Sequence, residues 1–201
     1  MKLYLASKSP RRREILDLMR LHYDIVSAEA DESLPVGIGM EEAGRLLAER
    51  KANAAAALLA KGEADGEDIL VLAADTLVYL DGAPLGKPRD ADDALRMLTL
   101  LSGRRHYVCT GVCLYANGET RTAADVTAVH MRSFTEEEAR AYIATGEPLD
   151  KAGAYGIQGV GSVLVEKIEG DFFSVMGLPP RLVRGLLADA GLSYFDLITV
   201  D

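Results

Sequence analysis

Four side chains near the start of the chain could together hold an anion. The hydroxyls of Ser7 and Ser9 are followed, after Pro10, by the guanidinium groups of Arg11 and Arg12. Proline suits the first position of a helix and serine is a good N-cap, so the pattern predicts a helix that begins at Pro10. Free N–H groups and the positive dipole end at such a helix start attract phosphate. Basic residues in a first turn oppose the dipole, which favours a phosphate-binding loop over an ordinary capped helix with a solvated basic turn.

A carboxylate follows the most apolar stretch of the chain. Residues 69–74 are all apolar, which predicts a strand buried on both faces, and Asp75 comes directly after them. An unpaired carboxylate in such surroundings is costly, so Asp75 is expected to pair with a cation or to act in catalysis. Lys87 follows a predicted hairpin turn at 81–82 and is expected close to Asp75, with a plain surface lysine as the alternative.

Residues 146–159 are the least ordinary stretch of the sequence. Four glycines there are interspersed with Lys151, Tyr155 and Gln158. The stretch is too polar for a core strand and too long for a simple turn, so its glycines are expected to let the backbone approach a ligand. A mobile surface loop is the alternative.

The elements that must position these residues predict a mixed α/β fold. Apolar patterns predict strands at 3–6, 23–26, 69–80, 106–115, 122–131 and 163–168, with a last strand at 194–200. Helices are predicted at 10–22, 41–61, 90–101 and 133–145, with a last one opening at 177–180, and a polar turn is predicted at 62–68. Asp81-Gly82 and Asn117-Gly118 are hairpin turn signals. No linker divides the chain, so we expect one domain over 1–201.

Composition and charge exclude several classes of function. The formal net charge is −9 and the pI is about 4.9, which argues against general binding to nucleic acid or anionic membranes. An anionic small substrate would need a local positive pocket. The chain has no apolar run of transmembrane length and no signal peptide pattern, so a cytoplasmic location is expected. Cys109 and Cys113 lack redox or zinc spacing and are expected to be reduced core thiols, and His106 and His130 are expected to be structural.

Several segments form a recognisable series in one order along the chain. They are LASKSPRR at 5–12, DES at 31–33, AADTLV at 73–78, GKP at 86–88, LSG at 101–103 with His106, TGV at 110–112, EPLDKAGAYGIQG at 147–159 and VMGLP at 175–179. Together they resemble the Maf (septum-formation) family of nucleoside triphosphate pyrophosphatases. The YGIQ segment, which ends at Gln158, resembles the subgroup that acts on dTTP and UTP rather than the one that acts on 7-methyl-GTP.

This resemblance implies a fold and an activity. The fold would be an elongated α/β structure of the inosine-triphosphatase type, with a bent mixed sheet, flanking helices, two lobes and a deep cleft, and homodimers are common in the family. The activity would be hydrolysis of a nucleoside triphosphate to the monophosphate and pyrophosphate with a divalent metal. Carried onto matching positions, Asp75 would be the proton acceptor, and Arg11, Thr76 and Gln158 would set substrate preference.

The charged residues then suggest how a triphosphate would be held. Lys51 lies in the predicted helix over 41–61, and Glu32 lies in a predicted loop, where solvated acids are the default. Cations must offset the repulsion between the phosphates and an incoming hydroxide, a role expected for Arg11, Arg12, Lys51 and Lys87. Oxygen ligands from Glu32 and Asp75 favour Mg²⁺ or Mn²⁺, and whether Asp75 binds the metal, accepts the proton or does both stays open.

Base recognition and a different class of function complete the expectations. The Gln158 amide offers a donor and an acceptor that match the edge of thymine or uracil. The alternative to an enzyme is a regulatory protein of cell division that senses a nucleotide without significant catalysis. A P-loop kinase is excluded, because the chain has no GxxxxGK[ST] run.

Overall fold

The protein is built on a mixed β-sheet flanked by helices, as the sequence predicts. A computed structural model describes residues 1–62 and 68–198. The strands are β1 Lys2–Leu5, β2 Asp24–Ile25, β3 Ile69–Leu80, β4 Ala83–Leu85, β5 Arg105–Ala116, β6 Glu119–Met131 and β7 Val165–Glu169. The helices are α1 Pro10–Leu18, α2 Met40–Leu59, α3 Ala91–Leu101, α4 Glu136–Ala144, α5 Phe172–Met176 and α6 Pro180–Asp189. Residues 63–67, most of the turn predicted at 62–68, lie outside the described residues.

The strand order places the start of the chain beside β3. The order is β2-β1-β3-β5-β6-β7, and β4 pairs with β3. Strand β1 is parallel to both β2 and β3, with α1 and α2 as the crossover helices, whereas the β3–β4 and β6–β7 pairs are antiparallel. Leu5 is in register with Leu72, and the Ala6 amide donates to the Leu72 carbonyl at 2.8 Å. The loop after β1 therefore begins beside the central part of β3.

Both predicted two-residue turns are confirmed. Asp81 and Gly82 have φ angles of 52° and 79°, and Asn117 and Gly118 have φ angles of 52° and 82°. Positive φ at both central residues is the geometry that lets a two-residue loop follow the twist of its strands. The first turn joins β3 to β4 and the second joins β5 to β6.

The chain divides into two compact units, each built from separate stretches of sequence. The first unit is Met1–Asp75, Thr110–Asp125 and Gly177–Asp201, and the second is Thr76–Cys109 and Val126–Met176. The single domain over 1–201 and the deep cleft remain predictions. Within the described part of the chain, no helix combines the length and apolarity needed to span a membrane.

Small residues pack α2 tightly against the sheet in the first unit. Ala48 and Ala52 of α2 form a buried cluster with Ala73 of β3 and Cys113 of β5. A Cβ on Gly111 would lie 2.0 Å from the Gly44 carbonyl oxygen, so glycine is required where β5 approaches α2. Cys109 and Cys113 are buried and reduced, as predicted, and burial raises the pKa of Cys113 to about 12.

Three predicted elements differ from the structure. Helix α1 ends at Leu18 rather than at residue 22, because the chain turns at Arg20, whose φ angle is 53°. A 3₁₀ helix, Gly159–Leu164, takes the start of the strand predicted at 163–168, which begins at Val165. The strand predicted at 194–200 is wrong for its described part, where a 3₁₀ helix, Tyr194–Asp196, precedes a single bridge from Ile198 to Leu21. Short apolar runs occur in both helices and strands, so such a run does not show which of the two will form.

Candidate active site

Three charged side chains of the first unit meet at one point. The Lys51 ammonium contacts Oδ1 of Asp75 and lies 2.9 Å from Oε1 of Glu32. The Asp75 side chain is 13% exposed and that of Lys51 is 22% exposed, whereas Glu32 is 71% exposed. Asp75 therefore has the cationic partner that its apolar surroundings demand, and Glu32 provides a second carboxylate at the solvent side.

Strand β3 positions Asp75, and helix α2, which packs on the sheet, positions Lys51. Asp75 lies inside β3, which continues to Leu80, in agreement with the strand predicted over 69–80. Lys51 projects from α2 at the residue before Ala52, which packs in the cluster with Ala73. The close contact between helix and sheet is what allows the lysine to reach the carboxylate.

A network around Asp31 brings Glu32 to the same place. The Asp31 carboxylate accepts hydrogen bonds from the amide and hydroxyl of Ser33, at 2.9 and 2.8 Å. Arg50 of α2 donates to the Asp31 carbonyl at 3.2 Å and lies 3.4 Å from its carboxylate. The loop is therefore tied to the helix one residue before Lys51. The sequence reasoning missed Asp31 and Arg50 as supports, although the Asp-x-Ser turn pattern is a usable signal.

Lys51 remains a cation in this arrangement. Burial is the largest single influence on Lys51 and lowers its pKa, but the charges and hydrogen bonds of Asp75 and Glu32 outweigh it. The pKa of Lys51 consequently lies above its ordinary value. The lysine can therefore supply positive charge but cannot serve as a general base near neutral pH.

The loop after β1 is organised by Arg12. Its Nη1 donates to the Ser7 hydroxyl at 3.1 Å, its Nε donates to the Gly177 carbonyl at 2.9 Å, and the Ser9 amide also donates to the Ser7 hydroxyl. Ser9 is the residue before α1, as predicted, but its hydroxyl makes no capping hydrogen bond. Loss of solvent lowers the pKa of Arg12, and the negative charge of Asp75 offsets part of that effect. Arg12 thus lies within electrostatic range of Asp75, and Arg11 precedes it in the first turn.

The other predicted site residues belong to the second unit. Thr76 is half-buried in β3, and Lys87 is exposed in the loop after β4. The Gly86 carbonyl accepts a hydrogen bond from the Gly153 amide at 3.0 Å, which ties the Lys87 loop to the glycine-rich stretch. The expected approach of Lys87 to Asp75 remains a prediction.

The glycine-rich stretch is held by a hydrogen-bonded network. Two 3₁₀ helices, Glu147–Asp150 and Ala152–Ala154, lie within it, and a third, Gly159–Leu164, begins at its last residue. The Lys151 ammonium donates to Asp150 at 2.8 Å and to the Glu147 carbonyl, so this lysine is engaged within the stretch itself. Gln158 is half-buried and precedes the third 3₁₀ helix, but its side chain makes no capping hydrogen bond.

The two remaining groups that the sequence singled out are structural in kind. His106 is fully buried, with Nε2 at 2.7 Å from the Tyr155 hydroxyl, and Tyr155 belongs to the core of the second unit. His130 lies 3.3 Å from Glu169 on the neighbouring strand. The prediction that both histidines are structural agrees with these contacts.

Glu32 and Asp75 are the two carboxylates of this site that could hold a divalent metal. No group of three or more His, Cys, Asp or Glu side chains that could hold a metal occurs among residues 1–62 and 68–198. Glu32 and Asp75 instead share the ammonium of Lys51. Two carboxylates are nonetheless enough for Mg²⁺ when phosphate oxygens and water complete its shell.

Comparison with known proteins identifies the family. The family model described as Maf-like protein matches residues 2–190. The chain belongs to the Maf family. A Syntrophomonas wolfei protein named dTTP/UTP pyrophosphatase is 48% identical over 189 residues, which cover 93% of this chain and 96% of that protein. A Bacillus velezensis protein of the same name is 46% identical over 178 residues, covering 89% of this chain and 90% of its own.

Solved structures add a weaker likeness. The Staphylococcus aureus Ham1 protein matches with 12% identity and a TM-score of 0.45, over 98% of this chain and 93% of that one. An identity and a TM-score this low do not support conclusions about the Maf chain. The family assignment therefore rests on the sequence matches.

Proposed function

We propose that this Maf protein is a nucleoside triphosphate pyrophosphatase that converts dTTP and UTP to the monophosphate and pyrophosphate. Relatives that carry the name dTTP/UTP pyrophosphatase match it over nearly its whole length. The structural observation that carries the proposal is the Asp75 carboxylate held by Lys51, with Glu32 beside it and Arg12 in electrostatic range. Apolar residues in place of a buried ion pair are often neutral or stabilising, so the presence of this pair in the strand favours catalysis over passive binding.

The reaction needs a base, an oriented water and positive charge. Water attacks the α-phosphorus, its oxygen forms the new P–O bond, and the bond to the bridging oxygen breaks so that pyrophosphate leaves. Asp75 accepts the proton of the attacking water. Lys51 holds the Asp75 carboxylate in one orientation, which is what efficient proton transfer requires.

Lys51 and Arg12 supply electrostatic stabilisation in the first unit. A cation about 4 Å from a phosphate oxygen contributes on the order of 4 kcal/mol at the effective dielectric of a partly dry site. Because Lys51 stays protonated, this contribution persists through the neutral pH range. Ser7 and Ser9 provide hydroxyls at the same loop, and Arg11 and Lys87 are proposed as further phosphate contacts.

A divalent metal is part of the proposal, with Mg²⁺ or Mn²⁺ as the ion. When bound, it neutralises phosphate charge and increases the acidity of a coordinated water. Glu32 and Asp75 are the residues that would hold it. Glu32 suits this role because its carboxylate is 71% exposed and can turn toward a metal–nucleotide complex with little further desolvation.

Base selection is assigned to the second unit, where Gln158 presents a primary amide. An amide side chain offers one acceptor and two donors, which match the N3–H and a carbonyl of thymine or uracil. The half-burial of Gln158 would make a mismatched base edge costly, because unpaired groups would be left without water. Thr76 and Lys151 are further proposed contacts, and a homodimer is proposed on the family resemblance alone.

The test is hydrolysis of dTTP and UTP by the purified protein with Mg²⁺ or Mn²⁺, with separate assays for pyrophosphate and orthophosphate. We expect pyrophosphate, and a fall in kcat of at least about 100-fold in Asp75→Asn, the usual scale for loss of a general base. Asp125→Asn is a matched control, since Asp125 is 14% exposed and pairs with Arg181 at 2.6 Å in the same unit. Orthophosphate as the product would contradict the bond assignment. Nucleotide binding without hydrolysis would favour the regulatory alternative.

A further inference from the structure

Two side chains outside the proposed reacting groups hold the backbone on both sides of Gln158. The Tyr142 hydroxyl accepts a hydrogen bond from the Gly156 amide at 3.0 Å and donates to Oε1 of Glu147 at 2.8 Å. Glu147 in turn accepts from the Val160 amide at 2.9 Å and from the Gly161 amide at 3.0 Å. One connected network therefore fixes the chain two residues before Gln158 and two and three residues after it.

The glycines of this stretch are explained by the same network. A Cβ on Gly161 would lie 2.5 Å from both the Gly156 carbonyl oxygen and the Tyr142 hydroxyl. A Cβ on Gly159, whose φ angle is +66°, would lie 2.6 Å from Oε2 of Glu147. The backbone thus comes close to Tyr142 and Glu147, whereas the approach to a ligand expected from these glycines remains a prediction.

The network is anchored outside the stretch that it holds. Tyr142 is 4% exposed and projects from α4 into the core of the second unit. The Lys151 ammonium donates to the Glu147 carbonyl and ties the first 3₁₀ helix to the next. Desolvation acts to raise the pKa of Glu147, but its hydrogen bonds and the charge of Lys151 outweigh it and hold that pKa below its ordinary value. Glu147 is thus an ionised carboxylate with both oxygens engaged.

We propose that Glu147 and Tyr142 are positioning residues that set base selectivity by fixing the backbone that carries Gln158. This inference rests on the proposed function, in which Gln158 reads the base. A primary amide can present its donor or its acceptor to the same atom by turning over, so it selects uracil over cytosine only when its position and orientation are fixed. Loosening the backbone lets the amide meet either base edge, which lowers selectivity without touching the reacting groups.

The variant Glu147→Gln tests this directly. A glutamine has one acceptor oxygen where the carboxylate has two, so it cannot accept from the Val160 and Gly161 amides in the native arrangement. We expect the ratio of kcat/KM for UTP to kcat/KM for CTP to fall about tenfold, mainly through KM for UTP, with kcat within about threefold of wild type. Glu138→Gln is the matched control, because Glu138 also uses both oxygens, on Arg132 and the Thr135 amide, in the same unit.

A double variant separates positioning through Gln158 from a general structural role. Gln158→Ala should lower the UTP to CTP ratio, and adding Glu147→Gln should not lower it further. Additive losses would overturn the inference, and so would a fall in kcat with an unchanged ratio. If Glu147→Gln does not fold, Tyr142→Phe keeps the buried ring and loses both hydrogen bonds, and an unchanged ratio in that variant also overturns the inference. A wild-type enzyme without hydrolysis or without base preference overturns the proposed function itself, which the wild-type assay shows separately.

Discussion

Acidification should destabilise this protein through one buried histidine. His106 has no exposed surface, and its ring packs edge to face on Tyr155 with 5.2 Å between ring centroids. Nε2 lies 2.7 Å from the Tyr155 hydroxyl, and Nδ1 has no hydrogen-bond partner among the described residues. Burial, with a smaller contribution from the charge of His130, lowers the pKa of His106 to about 4. The folded protein therefore holds this ring neutral.

The magnitude follows from the two pKa values. In the unfolded chain His106 titrates near its ordinary value of 6.5, and above that pH both states are neutral, so the histidine has no effect on stability. As the pH falls below 6.5 the unfolded chain binds a proton that the folded chain does not. The free energy of unfolding should fall by about 2 kcal/mol at pH 5 and by about 3 kcal/mol once the pH is below 4.

Urea unfolding at pH 7.5 and pH 5.0 measures this effect. The quantity of interest is the change in unfolding free energy between the two pH values, compared between wild type and His106→Gln. The substitution is expected to destabilise the protein at both pH values. Between pH 7.5 and pH 5.0, however, the unfolding free energy of His106→Gln should fall by about 2 kcal/mol less than that of wild type. His22→Gln, which replaces an exposed histidine, is the control and should behave as wild type.

Equal losses in wild type and His106→Gln would refute the reasoning. Such a result would mean that the folded protein accommodates a protonated His106, and that the burial and the Tyr155 contact do not exclude the charge. Contributions from the other titrating groups cancel in this comparison, because wild type and His106→Gln share them.

Two further predictions concern the packing and the charge of the first unit. Gly111→Ala forces a Cβ to 2.0 Å from the Gly44 carbonyl, and since backbone meets backbone we expect urea titration to show a loss above about 3 kcal/mol. Gly185→Ala, with open space around the new Cβ, should instead stabilise α6 by up to about 1 kcal/mol, and equal effects of the two would contradict the packing argument. Lys51→Met should lower kcat for dTTP by about 30- to 1,000-fold, because it removes the cation on Asp75, and a kcat within about threefold of wild type would contradict its role.

Local signals predicted the elements better than their ends. The Asp81-Gly82 and Asn117-Gly118 turns were predictable because positive φ at both positions is a property of those residue pairs alone. The end of α1 was not predictable, because the apolar pattern continues past Leu18 while the chain turns at Arg20. The positive φ angle of Arg20 is imposed by the surrounding structure, and no residue pattern in the sequence indicates it.

The candidate site shows the same division. The apolar run before Asp75 predicted that burial of this carboxylate would be unfavourable without a cationic partner. Only the structure identifies Lys51 as that partner. The glycine-rich stretch was marked by its composition, yet its explanation lies in Tyr142, which precedes it on α4. The contacts of Tyr142 with Gly156 and of Lys51 with Asp75 depend on how helices and strands pack. Such contacts between distant residues cannot be predicted from the pattern of a single sequence.

The alanine-rich composition of α2 allows Lys51 to contact Asp75. A helix that packs on a sheet through Ala48 and Ala52 lies closer to the strands than one that packs through leucines, because no large side chain separates the two backbones. Gly111 permits the same approach where β5 meets Gly44. Larger residues at these positions would move Lys51 away from Asp75 and leave a poorly solvated carboxylate without its partner. The alanine-rich pattern, which helix propensity alone would also favour, is therefore tied to the chemistry proposed for the site.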